Sequence, residues 1–196
     1  MEKGDMQIMH ICFYILPNDK KIVLFAAAKP FERRKGIVYF FEVLKYVQAD
    51  NWMALAVGGA ADLAKWVPQG VKVRQLGYVK GAEAMVKVYS AVDLYCITSL
   101  ADNFPTTVLE SMACGTPVVG FAVGGIPEQV TEECGRLVAL GDVKALGQAI
   151  TDLLTDDTRR KKMGEFCRKR TEQEYNLQLF IERHLALYRQ LVGGAE

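Results

Sequence analysis

Apolar runs of strand length alternate along the chain with segments in which apolar residues recur every three or four positions. Several runs are almost continuously apolar, which is typical of strands buried on both faces of a sheet. The repeated order of strand and helix predicts a single α/β domain with a Rossmann-like parallel sheet and helices on both faces. The predicted strands are 22–28, 53–57, 71–76, 93–98 and 117–121, and the helices between them are 37–47, 60–67, 82–91 and 106–113.

The end of the chain has a helical pattern. Three helices are predicted there, the first with an N-cap at Asp142 and the last with an N-cap at Asn176. Their ranges are 143–154, 158–174 and 177–191. The expected organisation is a linker segment at 1–20, the Rossmann-like body at 21–175 and a C-terminal helix at 176–196.

Composition and charge narrow the class of protein. With 51% hydrophobic and 24% charged residues, the 196-residue chain has the balance of an ordinary globular domain. A formal net charge of +1 gives no general attraction to nucleic acid, so no nucleic-acid partner is expected. Five widely spaced cysteines without a C-x-x-C pair indicate neither a disulfide framework nor a zinc site. The apolar stretch 6–16 is shorter than the ~20 residues that span a bilayer, and we expect a cytoplasmic protein.

The segment DNFPTTVLE places two acids, Asp102 and Glu110, around the start of a predicted helix. A helix N-terminus offers unpaired N–H groups and partial positive charge, and therefore accepts phosphate. Pro105 suits the first helical position, where its missing N–H is not needed. Side chains on a helix lean toward its N-terminus, so Glu110 can hydrogen-bond hydroxyl groups of a ligand at that end. Phosphate and sugar hydroxyls together indicate a nucleotide sugar.

This segment, with SMACGTPVVG after it, resembles the acid-x7-acid signature of the retaining GT-B glycosyltransferases of family 4. The resemblance covers roughly 21–191 and implies the C-terminal, donor-binding half of a GT-B enzyme, which an N-terminal acceptor domain would complete. Asp102 stands where the family has glutamate, and Pro105 stands where it has glycine. Further stretches agree in order: KPFERRKG at 29–36, LAVGG at 55–59, VRQLGYV at 73–79, FAVGGIPEQV at 121–130 and GRLVALGD at 135–142.

The resemblance assigns a role to each residue of the signature. It implies that Glu110 binds the ribose hydroxyls and that Asp102 meets the transferred sugar. Backbone N–H groups near Phe104, Thr106 and Thr107 would face the diphosphate.

Basic residues after the first strand are the expected diphosphate ligands. Lys35, followed by Gly36, matches the family's K-G pair, and Lys29 stands near the usual arginine position. From the residues alone, KPFERRK is equally a solvated charge run, and Glu32, Arg33 and Arg34 are expected at the surface.

Strand ends supply the remaining candidates. Gly58, with Gly59, follows the second strand, where it allows either a ligand or a tight turn. The resemblance implies that backbone at Tyr78 and Val79 contacts the base. Turn geometry alone accounts for Gly124 and Gly125.

The sequence lacks the residue motifs that several kinds of catalytic and cofactor chemistry require. The sequence has no D-x-D motif, no P-loop, no G-x-G-x-x-G and no nucleophile-plus-base group, so we expect neither a metal nor another cofactor. The two histidines, His10 and His184, lie outside the motifs and are interpreted as structural or exposed.

The sequence therefore predicts a hexosyltransferase donor domain that uses UDP- or GDP-sugar and a saccharide or lipid-linked acceptor. One alternative is a non-catalytic nucleotide-binding fragment, or truncated gene product, that lacks the acceptor domain. Another is a different GT-B enzyme such as a sugar epimerase, which the motif spacing disfavours. Expected partners are the donor, the N-terminal acceptor domain, a membrane surface for the full enzyme, and a second copy of this chain through the apolar 6–16 and last helix.

Overall fold

Six parallel strands form the centre of the molecule. The computed structural model describes residues 16–17, 19–59 and 63–193. Parallel neighbours require crossovers, and these carry the helices. The strands are β1 (Lys21–Ala27), β2 (Trp52–Gly58), β3 (Val73–Gly77), β4 (Leu94–Ile97), β5 (Val118–Phe121) and β6 (Gly135–Val138). Their order across the sheet is β3-β2-β1-β4-β5-β6.

Helices cover both faces of the sheet because the central strands are apolar on both faces. The core accordingly forms two clusters. One includes the helices Ile37–Leu44 and Val143–Thr155, and the other includes the helices Ala82–Ser90 and Thr106–Ala113, which confirms the predicted Rossmann-like α/β class. Two 3-10 turns, η1 (Arg33–Lys35) and η2 (Ala64–Trp66), lie in the loops after β1 and β2. The helices are α1 (Ile37–Leu44), α2 (Ala82–Ser90), α3 (Thr106–Ala113), α4 (Ile126–Gln129), α5 (Val143–Thr155), α6 (Asp157–Glu174) and α7 (Leu177–Gly193).

Two elements of the structure differ from the prediction. Strand β6 was not predicted, because the charged Arg136 interrupts its apolar run and it lies at the sheet edge. The helix predicted at 60–67 is wrong for its described part, 63–67, which forms only η2. Pro68 follows directly, and the residue before a proline is disfavoured in helical conformation. Residues 60–62 lie outside the described range.

Helix ends follow the predicted caps with small shifts. Asp142 accepts a hydrogen bond from the Ala145 amide at 3.0 Å, and Asn176 accepts one from the Leu179 amide at 2.8 Å. Pro105 is the N-cap of α3 and not its first residue, with φ −66° and ψ 122°. The predicted cap positions at Asp142 and Asn176 are thus confirmed, and that of Pro105 shifts by one residue.

The last helix, α7, presents apolar side chains to solvent. Phe180, Leu187 and Leu191 are 57%, 50% and 66% exposed. Exposed apolar patches of this kind mark contact surfaces, so self-association stays a prediction, checked by sedimentation. The apolar stretch 6–16 lies outside the described residues except for the buried Leu16. Within the described ranges, no helix has the length and apolarity to cross a membrane.

Candidate functional site

Helix α3 begins at the carboxyl edge of the sheet, directly after β4. Strands β1 and β4 are neighbours in the sheet. The chain adds β2 and β3 on one side of this pair and β5 and β6 on the other, and ligands of open α/β sheets bind at such a switch point. The carbonyl of Pro105, at the N-cap, accepts a hydrogen bond from Nε2 of the buried Gln129 at 3.1 Å. This bond ties the start of α3 to α4 and fixes it at the ligand-binding edge.

A cavity of about 640 Å³ lies at this edge, between α2 and α3 and over the ends of β1 and β2. Its volume is in the usual range for small-molecule sites. Much of its lining is apolar, from Val57, Met85 and Val86. The predicted site residues that the structure brings together in its lining are Gly58, Tyr78, Val79, Thr107 and Glu110.

Glu110 presents an exposed carboxylate to this cavity. Its Oε2 atom accepts a hydrogen bond from the Tyr89 hydroxyl at 3.2 Å. Burial, Tyr95 and the Glu110 charge raise the pKa of Tyr89 well above its ordinary value, so the phenol keeps its proton and donates. Glu110 is therefore held by a neutral donor and retains its capacity to accept further hydrogen bonds.

Thr107 has a similar support from the core. Its Oγ1 atom accepts a hydrogen bond from the hydroxyl of buried Tyr95 at 3.0 Å. Burial raises the pKa of Tyr95 above its ordinary value, so its hydroxyl keeps its proton and donates. Thr107 also lines a narrow cleft beside the cavity, together with Lys35 and Thr98. The cleft and the cavity share Thr107 and the end of β1.

Lys35 and Asp102 form an ion pair. The Lys35 Nζ atom lies 2.7 Å from Asp102 Oδ2, and their side chains are 24% and 12% exposed. Arg34, expected at the surface, is 48% exposed and places its guanidinium 3.7 Å from the same oxygen. The sequence assigned Lys35 and Asp102 to different parts of the ligand, and did not predict that they compensate each other's charge.

Close backbone approaches hold this charged pair. Gly36 has φ +65°, and a Cβ atom there would overlap the Thr98 carbonyl oxygen. Gly124 has φ +53°, and a Cβ atom there would overlap the Asp102 carbonyl oxygen. These glycines allow the turn carrying Lys35 and the loop carrying Asp102 to pack against neighbouring backbone. Gly124 therefore does more than complete a turn.

The other predicted residues lie outside the cavity lining. Lys29 is exposed in the loop after β1, and Thr106 is exposed in the first turn of α3. Phe104 is 42% exposed, and its ring centroid lies 5.9 Å from that of Tyr175. None of these three side chains lines the cavity, and Thr106 is the first residue of α3.

Three residues of the site were not singled out in the sequence: Tyr89, Tyr95 and Arg168. Tyr89 and Arg168 line the cavity, and Arg168 also donates to the Ala113 carbonyl at 2.6 Å. A signal existed for Tyr95, since a tyrosine inside an apolar strand needs a partner for its hydroxyl. No group of three or more potential metal ligands occurs among residues 16–17, 19–59 and 63–193, and metal independence stays a prediction.

A second cavity, of about 710 Å³, lies at the opposite, amino edge of the sheet. Lys20, Trp52 and Lys72 line it, and none of the predicted site residues does. Ligand sites of such sheets lie at the carboxyl edge, so the smaller cavity is the better candidate.

Sheet order and the switch-point cavity define a Rossmann-like α/β domain. Residues 13–170 match the model of the family described as glycosyl transferases group 1, and the chain belongs to that family.

Several known proteins are similar to this chain in sequence or in fold. N-acetyl-alpha-D-glucosaminyl L-malate synthase of Bacillus anthracis is 31% identical over 97 residues, which are 49% of this chain and 26% of that protein. Sucrose-phosphate synthase from Thermosynechococcus elongatus has a TM-score of 0.79 and 29% identity, covering 98% of this chain and 49% of that one. Anabaena HepE in complex with UDP and glucose has a TM-score of 0.76 and 19% identity, covering 96% of this chain and 52% of that one. The chain spans only 26%, 45% and 28% of the length of three curated relatives.

Proposed function

We propose that the chain is the donor-binding domain of a retaining GT-B glycosyltransferase, with Glu110, Thr107 and Lys35 around the donor. The observation that carries this proposal is the placement of these three side chains about the start of α3, at the strand switch point. Family membership and the likeness in fold to HepE, whose structure holds UDP and glucose, support it. The donor would be a UDP- or GDP-hexose, and the acceptor a saccharide or a lipid-linked sugar.

Each part of the donor has a matching group. Glu110 accepts hydrogen bonds from the ribose hydroxyls, and the diphosphate lies against the first amides of α3, at Thr106 and Thr107. The base lies beside Tyr78 and Val79 at the end of β3. Each charge-assisted hydrogen bond contributes ~1.5 to 3 kcal/mol, so two or three give micromolar to millimolar affinity.

Transfer develops negative charge on the leaving diphosphate. Lys35 and the N-terminus of α3 stabilise that charge, which is a gain specific to the transition state. Asp102, paired with Lys35 at 2.7 Å, keeps the ammonium group directed toward the cleft and faces the transferred sugar. No protein nucleophile is assigned. The acceptor oxygen bonds to the anomeric carbon on the face of the leaving group as the bond from that carbon to the diphosphate breaks, and the acceptor proton passes to the leaving diphosphate. Acceptor-binding residues belong to a part of the enzyme outside this sequence.

A second candidate is a domain that binds the nucleotide without transferring sugar. Both candidates require nucleotide binding at α3, and they differ only in turnover.

Calorimetry with UDP, GDP and their hexose conjugates tests the nucleotide binding that both candidates require, and a transfer assay on added saccharides tests whether this chain alone transfers sugar. We expect weak binding of a nucleoside diphosphate and no transfer by this chain alone. Failure to bind either nucleotide at millimolar concentration would overturn the proposed function. Clear transfer by the chain alone would overturn the need for a further domain.

A further inference from the structure

Two tyrosines reach the site from inside the core. Tyr89 on α2 and Tyr95 on β4 are 0% and 2% exposed, and their rings meet edge to face with centroids 5.7 Å apart. Each hydroxyl ends on a residue of α3 that lines the cavity. Tyr89 donates to Glu110 Oε2 at 3.2 Å, and Tyr95 donates to Thr107 Oγ1 at 3.0 Å.

We propose that Tyr89 and Tyr95 are positioning residues that orient Glu110 and Thr107 toward the donor nucleotide. This inference rests on the proposed function. A phenol has one proton, and a carboxylate only accepts, so Tyr89 donates to Glu110 and restrains one of its oxygens. The second oxygen and the remaining lone pairs stay available to the ribose hydroxyls.

Tyr95 has a different effect, because its partner is itself a donor. A threonine hydroxyl has one proton and two lone pairs. When Tyr95 occupies a lone pair of Thr107, the threonine proton is free to turn away from the core toward the adjoining cleft, which Lys35 also lines. Thr107 then presents a donor to a phosphate oxygen beside the Lys35 ammonium.

Packing alone does not account for the two hydroxyls. Phenylalanine would fill the same core volume without a polar atom, and a buried hydroxyl is costly unless it is bonded. Both hydroxyls are instead bonded to α3, one to Glu110 and one to Thr107. The core therefore supports the two α3 side chains separately, one for the ribose and one for the diphosphate.

Matched ligands separate positioning from a general loss of structure. Tyr89→Phe, Tyr95→Phe and the control Tyr39→Phe, on the other face of the sheet, are titrated with UDP, GDP and their 2′,3′-dideoxy counterparts. Tyr89→Phe should weaken the ribose nucleotides by about 3- to 10-fold and leave the dideoxy nucleotides unchanged. Tyr95→Phe should weaken both kinds by a similar factor, because both carry the diphosphate. Tyr39→Phe should change neither.

A double-mutant cycle adds a second readout. In a Glu110→Ala background, Tyr89→Phe should have no further effect on affinity, since its target is gone. If circular dichroism shows that a variant does not fold, the parent chain with 3-fluorotyrosine at position 89 alone is used instead. Its fluorine resonance should move with the ribose nucleotide and stay unmoved with the dideoxy nucleotide.

Equal losses for ribose and dideoxy nucleotides in Tyr89→Phe, or no loss in either tyrosine variant, would overturn the inference. That result leaves the proposed function standing, because the parent chain still binds. If the parent chain binds neither UDP nor GDP, the proposed function fails, and the inference fails with it.

Discussion

The two acids of the sequence signature occupy contrasting surroundings. Asp102 is 12% exposed and compensated by Lys35 at 2.7 Å, with Arg34 at 3.7 Å. Glu110 is exposed at the cavity and accepts from the neutral hydroxyl of Tyr89. Two carboxylates with the same chemistry in the sequence thus differ in the structure: the protein compensates the charge of one, and the charge of the other faces the cavity.

The contrast separates two tasks. A compensated carboxylate fixes the position of its cationic partner, while a carboxylate with open lone pairs gains most from ligand hydroxyls. We therefore expect Glu110 and Lys35 to govern nucleotide affinity. Asp102 should govern the direction of Lys35 and the contact with the sugar.

The largest expected effect comes from breaking the turn that carries Lys35. Gly36→Ala forces a side chain into a left-handed conformation and against the Thr98 carbonyl oxygen, so it should lower the free energy of unfolding by ~2 to 4 kcal/mol. Gly70→Ala is the matched control, since Gly70 has φ +81° with nothing within 4 Å. Denaturant unfolding of both variants measures the difference. Equal losses would show that the close approach at Gly36 contributes nothing.

Removal of the Lys35 charge should act on binding. Lys35→Ala is expected to weaken UDP or GDP, and the matching nucleotide sugar, by ~1.5 to 3 kcal/mol, because it removes a charge-assisted phosphate contact. The loss should shrink as salt rises. Calorimetry at two salt concentrations checks this, with Lys45→Ala, exposed at the C-cap of α1 and paired with Glu42, as control. A loss of the same size in the control would refute a site-specific role.

Removal of the Glu110 carboxylate tests the other half of the comparison. Glu110→Ala should weaken the nucleotide by ~1 to 3 kcal/mol, and this loss should depend less on salt than that of Lys35→Ala, because the lost partners are ribose hydroxyls. Glu83→Ala on α2, also a surface carboxylate, is the control. Unchanged affinity in a Glu110→Ala chain that is folded by circular dichroism would place the ligand elsewhere.

The smallest expected effect belongs to Asp102. Asp102→Asn removes the charge but keeps the side-chain shape and an amide oxygen that still accepts a hydrogen bond from Lys35. The direction of Lys35, and with it the affinity for UDP or GDP itself, should therefore stay nearly the same. The additional affinity of the nucleotide sugar over the bare nucleotide should fall. Calorimetry with both ligands separates the two, and a large loss for the bare nucleotide would contradict the assigned role.

Local patterns predicted the framework of the fold and the position of α3. Runs such as that of β1 are apolar on both faces, and this pattern is legible in the sequence. The charged Arg136 interrupts this pattern in β6, and Pro68 disfavours helical conformation at the end of the helix expected at 60–67.

Long-range pairings in the site were not predictable from local patterns. Lys35 and Asp102 are 67 residues apart, and their ion pair depends on how η1 packs against the end of β4. Tyr89 and Glu110 are 21 residues apart and meet only because α2 and α3 lie on the same face of the sheet. Spacing indicates which residue types share an edge of a sheet, but not which of them pair.

Amide NMR shifts of the full chain on titration with UDP and GDP test the central claim most directly. We expect the larger shifts at Thr106, Thr107 and the residues around Gly58 and Val79, at the carboxyl edge of the sheet. Amides around Trp52 and Gly70, beside the 710 Å³ cavity at the opposite edge, should stay unshifted. Shifts concentrated at that opposite edge, or no shifts with either nucleotide, would contradict the placement of the donor at α3.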